Sequence, residues 1–155
     1  MEKKISVITS VFNGEKTIED TILSVLNQDY SNFELIIVDG LSKDSTIKIV
    51  QKYAETDTRI KIISEKDKGI YDAFNKGVLN SSGNIIMFVN ADDFLFPNTL
   101  TSINKNFDIQ NNHLFAGSLS MINEVDNYNK NIFRSKIPKH SLTNPVILTM
   151  GICFN

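Results

Sequence analysis

Residues 5–12 read ISVITSVF. β-branched side chains are stiff at χ1 and fit a pleated strand better than a helix. The run carries no charge, so both of its faces can be buried, as in a parallel sheet. It predicts a strand at about Ile5 to Thr9. Working outward, residues 33–40, FELIIVDG, make a second apolar-rich run that ends in an acid. Residues 59–64, RIKIIS, make a short third, and residues 84–90, NIIMFVN, a fourth.

The stretches between these runs have helical periodicity. In NGEKTIEDTILSVLNQ, residues 13–28, the apolar Ile18, Ile22, Val25 and Leu26 fall at i, i+4, i+7 and i+8, one face of a helix. Asn13 and Gly14 read as the turn before it, and Glu15 suits a first helical turn. SKDSTIKIVQKYAET, residues 42–56, reads as a second helix capped by Asp44 or Ser45, with Ile47, Val50 and Ala54 toward the sheet. KGIYDAFNKGVLNSS, residues 68–82, reads as a third, with Ile70, Ala73, Phe74 and Val78 on one side. Strand and helix alternate to about residue 90. That order predicts a doubly wound parallel sheet with right-handed crossovers.

After Pro97 the pattern loosens. NTLTSINKNFDI, residues 98–109, suggests a helix. HLFAGSLSMI and YNKNIFRSKI, joined by a polar turn near NEVDN, suggest two strands of an antiparallel hairpin. There is no internal repeat and no low-complexity linker, so one domain over residues 1–155 is expected.

The totals fit that expectation. The chain has 155 residues, 41% of them hydrophobic and 22% charged, values of an ordinary globular domain. A net charge of -2 argues against a nucleic-acid binder. No apolar run approaches the roughly 20 residues that span a bilayer, and MEKKISVITS holds too short an apolar stretch for a signal peptide. One cysteine, Cys153, cannot form an internal disulfide, which fits a reducing cytoplasm. The abrupt end at MGICFN suggests a piece of a longer protein.

Ligands of open α/β sheets bind beyond the carboxyl ends of the strands. The first strand leads there into Thr9, Val11, Phe12 and Asn13. The second delivers Asp39, the third Glu65, Asp67, Lys68 and Gly69, the fourth Asn90, Asp92 and Asp93. Each acid has a plain structural use: Asp39 as a helix cap, Asp67 in a turn. Together they crowd negative charge on one rim. A divalent cation relieves that crowding, and oxygen donors suit Mg2+ or Mn2+. His113 and His140 are isolated, so no zinc cluster competes. Neither GxGxxG nor GxxxxGK[ST] is present, so the common phosphate cradles are missing.

Residues 5–50, then SEKDKGIYDAFNKG and NADDFLFP, resemble the family 2 glycosyltransferases in order and without large gaps. The likeness covers roughly residues 4 to 100, and looks strongest to bacterial members that build surface polysaccharides. It implies the GT-A fold, a Rossmann-like three-layer α/β/α sandwich with a mostly parallel central sheet. It implies an inverting enzyme that moves a sugar from a nucleoside diphosphate sugar, most commonly a UDP-sugar, to a saccharide or lipid-linked acceptor. Such a protein would be cytoplasmic, with peripheral association at the inner face of the membrane, and would not bind nucleic acid.

By that resemblance Thr9, Val11, Phe12 and Asn13 lie along the nucleoside, and Asp39 holds the base edge. Asp67, Lys68, Gly69, Asp72 and Asn75 follow the diphosphate and sugar. Asn90, Ala91 and Asp92 match the family's DXD motif at the nucleotide sugar, with Asp92 the metal ligand and Asp93 either supporting it or reaching the sugar. Asn90 departs from the motif, where an acid is common, and is expected at the ribose or sugar. The general base of the family stands well downstream of this motif. Asp108, Glu124 and Asp126 match nothing there, so the base and the acceptor-binding side are expected beyond Asn155. Two other readings stay open. A sugar nucleotidyltransferase would want a more basic, glycine-rich loop after strand one. A non-catalytic regulatory or scaffold module would leave the acids without a ligand.

Overall fold

The computed structural model describes residues 2–107 and the backbone of three further strands, at 119–121, 130–132 and 146–149. In chain order the elements are β1 (Ile5–Val11), α1 (Ile18–Leu26), β2 (Phe33–Asp39), α2 (Thr46–Ala54), β3 (Ile60–Ser64), α3 (Ile70–Leu79), β4 (Ile85–Phe88), α4 (Thr99–Asn106), β5 (Leu119–Met121), β6 (Lys130–Ile132) and β7 (Val146–Thr149). The predicted NEVDN turn, Cys153, both histidines, Asp108, Glu124 and Asp126 lie outside the described residues.

The main sheet has the order β3-β2-β1-β4-β7, and every pairing in it is parallel. β5 and β6 pair antiparallel, as the hairpin reading expects. β1 is two residues longer than its sequence predicts, because Ser10 and Val11 pair with Val38 and Asp39. β7 has no counterpart in the sequence reading.

The strand order explains the layers. β1, β2 and β3 step one way, so right-handed crossovers set α1 and α2 on one face. The chain then returns past β1 to β4, and the same handedness sets α3 on the other face. Alternation along β1 serves both. Ile5, Val7 and Val11 pack with Ile18, Ile22 and Val25 of α1, Val50 of α2 and Leu100 and Ile103 of α4. Ile8 packs with Ile36, Val38, Ile86, Phe88 and Ala73 of α3. Each buried side chain of this size contributes about 1.5–3 kcal/mol. No described helix is long and apolar enough to cross a membrane.

Two helix faces differ in part from expectation. On α2, Val50 and Ala54 face the core as expected, but Ile49 and Tyr53 join them there in place of Ile47. On α3, Ala73, Phe74 and Val78 pack on the sheet as expected, but Ile70 does not. Ile70 is 48% exposed. The closest approach of α3 to the sheet is instead at Gly77, where an added Cβ would stand 2.3 Å from Ile8 Cγ2. The missing side chain lets α3 lie directly on the central strand. Gly77→Ala is therefore expected to lower stability by about 2 kcal/mol through overpacking, read as a shift in the urea midpoint. An unchanged midpoint would mean that α3 stands off the sheet.

The amino end of the sheet carries a buried carboxylate. Glu34 is 2% exposed. It accepts from Ser6 Oγ at 2.6 Å, from the Ser82 amide at 2.6 Å and from Ser82 Oγ at 3.0 Å. Lys61 and Lys4 approach it at 2.8 and 3.3 Å. Burial pushes this carboxyl up, but Lys61, Ser6 and Ser82 outweigh it and hold it down at about 2.

Candidate functional site

β2 and β4 both pair with β1, so their tips stand on one rim. Two inter-strand spacings separate them, roughly 10 Å. The chain reverses its direction of travel across the sheet between β1 and β4, which is where doubly wound sheets open a crevice. The loops after β1, β2, β3 and β4 all meet this rim.

The first two loops are laced together. The Asn13 amide donates to Ser42 Oγ at 2.8 Å, and Asn13 Oδ1 accepts from the Lys43 amide at 2.8 Å. The Glu15 amide donates to Asp44 at 3.1 Å, and Glu15 accepts from the Ser45 amide at 2.8 Å. The Gly14 amide donates to Thr46 Oγ1 at 2.9 Å. Asn13 and Leu41 hold left-handed backbone, φ 52° and 63°. Asparagine tolerates this; leucine is strained there by about 1 kcal/mol or more. Asp44 caps the second helix through the Thr46 amide at 3.0 Å, while Ser45 makes no side-chain cap.

Asp39 is 1% exposed and its oxygens are engaged. Ser64 Oγ donates to Oδ2 at 2.7 Å, and the Ser42 amide to Oδ1 at 3.1 Å. An ionised carboxylate has about four acceptor positions, so capacity remains. Beside it lie Gly40, Phe12 and Asp67. A Cβ on Gly40 would stand 2.5 Å from Asp67 Oδ2 and 3.5 Å from the Phe12 ring. Gly40 thus admits the Asp67 carboxylate over the tip of β2. The Phe12 ring is 60% exposed.

The loop after β3 is held by its own charges. Asp67 Oδ1 accepts from the Gly69 amide at 3.0 Å. Gly69 has φ 114°, a conformation that L side chains rarely adopt. Asp72 accepts from the Lys68 amide at 3.0 Å and pairs with Lys76 at 3.2 Å. That amide first, then Lys76, holds the Asp72 carboxyl below its usual range. Lys76 also donates to the Lys66 carbonyl at 2.6 Å and pairs with Glu65 at 3.2 Å. Lys68 and Asn75 are exposed.

After β4 the chain turns at once. The Asp93 amide donates to the Asn90 carbonyl at 3.1 Å, and Asn90 Nδ2 donates to Asp93 Oδ2 at 3.0 Å. Asp92 is exposed between them. A Cβ on Gly14 would come within 3.7 Å of Ala91 Cβ, so this turn lies against the first loop.

The rim therefore gathers Phe12, Asn13, Asp39, Asp67, Lys68, Gly69, Asp72 and the 90–93 turn. Thr9 and Val11 sit inside β1, 0% and 5% exposed, and Thr9 Oγ1 has no hydrogen-bond partner among the described residues. Sequence reasoning placed Gly40 after strand two without giving it a part, and missed Ser64 of β3 and Lys76 of α3, whose parts depend on contacts between separate elements. It also missed Thr21, whose signal was a polar residue on an apolar helix face.

Residues 6–153 match the family model described as glycosyl transferase family 2. The chain belongs to that family. Its architecture is that of the GT-A fold in solved relatives. Glycosyltransferase GlyA of Streptococcus pneumoniae is 30% identical over 126 residues, which are 81% of this chain and 18% of that protein. The S. aureus TarS 1–349 structure with UDP-GlcNAc superposes with TM-score 0.65 at 29% identity, over 73% of this chain and 34% of that one. The mannosyltransferase PcManGT of Pyrobaculum calidifontis, solved with GDP-Man and Mn2+, gives TM-score 0.57 at 26% identity, over 61% and 29%. This family 2 chain spans about a fifth to a third of the length of these three relatives.

Proposed function

We propose that this chain is the donor-binding part of an inverting glycosyltransferase, taking its sugar from a UDP-sugar for polysaccharide or glycolipid synthesis at the cytoplasmic face of the membrane. The observation that carries the reading is the meeting of Asp39, Gly40, Phe12 and Asp67 at the tip of β2, on the same rim as the exposed Asp92. Phe12 offers an open ring for a nucleobase to stack on. Asp39, fixed by Ser42 and Ser64, keeps acceptor capacity for the N–H of a uracil edge. Lys68 supplies positive charge for the diphosphate, and Asn75 and Asn90 offer amides to ribose or sugar hydroxyls. The complexes of TarS with UDP-GlcNAc and of PcManGT with GDP-Man and Mn2+ support it by family relationship.

The residues suit a hard divalent ion. Asp92 presents an open carboxylate, and Asp93 stands beside it. Among the described residues no three His, Cys, Asp or Glu side chains form a cage. An ion at Asp92 would therefore need water and phosphate oxygens beside one or two carboxylates, the ligand set that Mg2+ and Mn2+ commonly take. Such an ion, when bound, stabilises negative charge on a departing diphosphate. None of the rim residues is assigned as the general base, which falls on the acceptor side.

Calorimetric titration of UDP tests the reading. Binding is expected to tighten at least about tenfold when Mn2+ is added, in line with the effect of metal-site groups. Indifference to both ligands would sink the reading. Gly40→Ala refines it. The new methyl is expected to swing the flexible Asp67 side chain away from β2 and weaken uridine binding several-fold. The melting temperature should hardly move, because the atom displaced is the end of a half-buried side chain and not backbone. Unaltered uridine affinity would remove Asp67 from the nucleoside pocket.

A further inference from the structure

The geometry points to Thr21 of α1 as a positioning residue for Asp92, acting through the backbone on both sides of it. This inference rests on the donor-site reading above.

Thr21 lies on the apolar face of α1, among Ile18, Ile22 and Val25, and is 1% exposed. A hydroxyl buried there needs a partner. The local one, the Thr17 carbonyl, is 3.5 Å away. Two closer ones lie across the interface, the carbonyls of Ala91 at 2.9 Å and Asp93 at 2.8 Å. A hydroxyl has one proton, so the two carbonyls share it. They belong to the residues immediately before and after Asp92. The carbonyls of the neighbours on either side of the exposed carboxylate are thus fastened to one buried atom.

The fastening continues along the same helix face. Ser24 Oγ accepts from the Leu95 amide at 3.0 Å. Gln28 Nε2 donates to the Phe96 carbonyl at 2.9 Å, and Gln28 Oε1 accepts from the Leu100 amide at 3.1 Å. Thr21, Ser24 and Gln28 fall at i, i+3 and i+7, one stripe. The segment from Ala91 to Leu100 follows a strand of only four residues. α1 supplies the fixed surface that this irregular segment would otherwise lack. A ligand carboxylate displaced by about 1 Å binds its ion poorly, so the supporting contacts decide its value.

The test separates metal from nucleoside. In Thr21→Val the shape is kept and the hydroxyl removed. The Mn2+-dependent gain in UDP affinity is expected to fall about tenfold, the size of effect seen when supporting groups of a metal site are lost. Uridine affinity without metal should stay within about twofold. Thr21→Ser restores the hydroxyl and should restore the Mn2+ gain. Hydrogen exchange gives a readout free of metal: the Asp93 amide should exchange faster in Thr21→Val and at the original rate in Thr21→Ser. If Thr21→Val does not fold, Ser24→Ala on the same stripe takes its place, with faster Leu95 exchange and a smaller Mn2+ gain expected. A full Mn2+ gain in the variant, with the unsubstituted chain binding normally, overturns this inference alone. No Mn2+-dependent UDP binding in the unsubstituted chain overturns the donor-site reading and this inference with it.

Discussion

Replacing Asp92 with alanine is expected to remove the Mn2+-dependent part of UDP affinity, a loss on the order of 100-fold, larger than that from a merely supporting group. Stability should change by less than about 0.5 kcal/mol, as for surface positions in general. Asp92 is exposed, and among the described residues its carboxylate makes no hydrogen bond or ion pair, so nothing in the fold leans on it. Asp93→Ala should behave differently. It removes the acceptor of Asn90 Nδ2 and loosens the turn itself. Calorimetry and thermal melting on both variants separate the two roles. Equal Mn2+ dependence in Asp92→Ala and the unsubstituted chain would take Asp92 out of the metal site.

Loss of the Glu34 carboxylate should have the largest effect on folding. Glu34→Ala leaves the Ser6 hydroxyl and the Ser82 amide without their buried acceptor, and two lysines without their partner. Breaking a buried pair costs about 3–5 kcal/mol, and the half-exposed lysines reduce that to about 2–3. The same group makes the fold acid-sensitive. Its carboxyl is held at about 2 when folded, against about 4.3 in an unfolded chain. A lowered folded value stabilises fully above the unfolded one. That stability is lost as the pH falls from about 5 toward 2. Urea midpoints across this range should fall in the native chain, and less steeply in Glu34→Gln. Parallel slopes would show that other carboxylates govern acid unfolding.

Ten elements, all but β7, were legible because each announces its own periodicity or turn. The β-branched runs read as buried strands, and the stretches between them as amphipathic helices. The acids at the strand ends were legible for the same reason, since they interrupt apolar runs. What escaped was everything decided between segments. Gly77 outranks Ile70 on α3, yet a glycine adds nothing to an apolar pattern. β7, which escaped the sequence reading, is a strand because β4 offers it an edge, and pairing of that kind is not local. Ser64 at the end of β3 and Ser42 in the loop after β2 hold Asp39 from two sides. Thr21 looked like a blemish in a helix face, and its hydroxyl spans seventy residues of sequence to reach the turn after β4.

β4 ends at Phe88 and its outer neighbour starts only at Val146. Chains emerge from the ribosome amino end first, and domains fold as they appear. Strands one to four can therefore assemble while β7 is still being made. Until then the outer row of peptide groups on β4 is an open template for any passing strand. Translation that stalls before residue 146 should leave a product that captures its own copies.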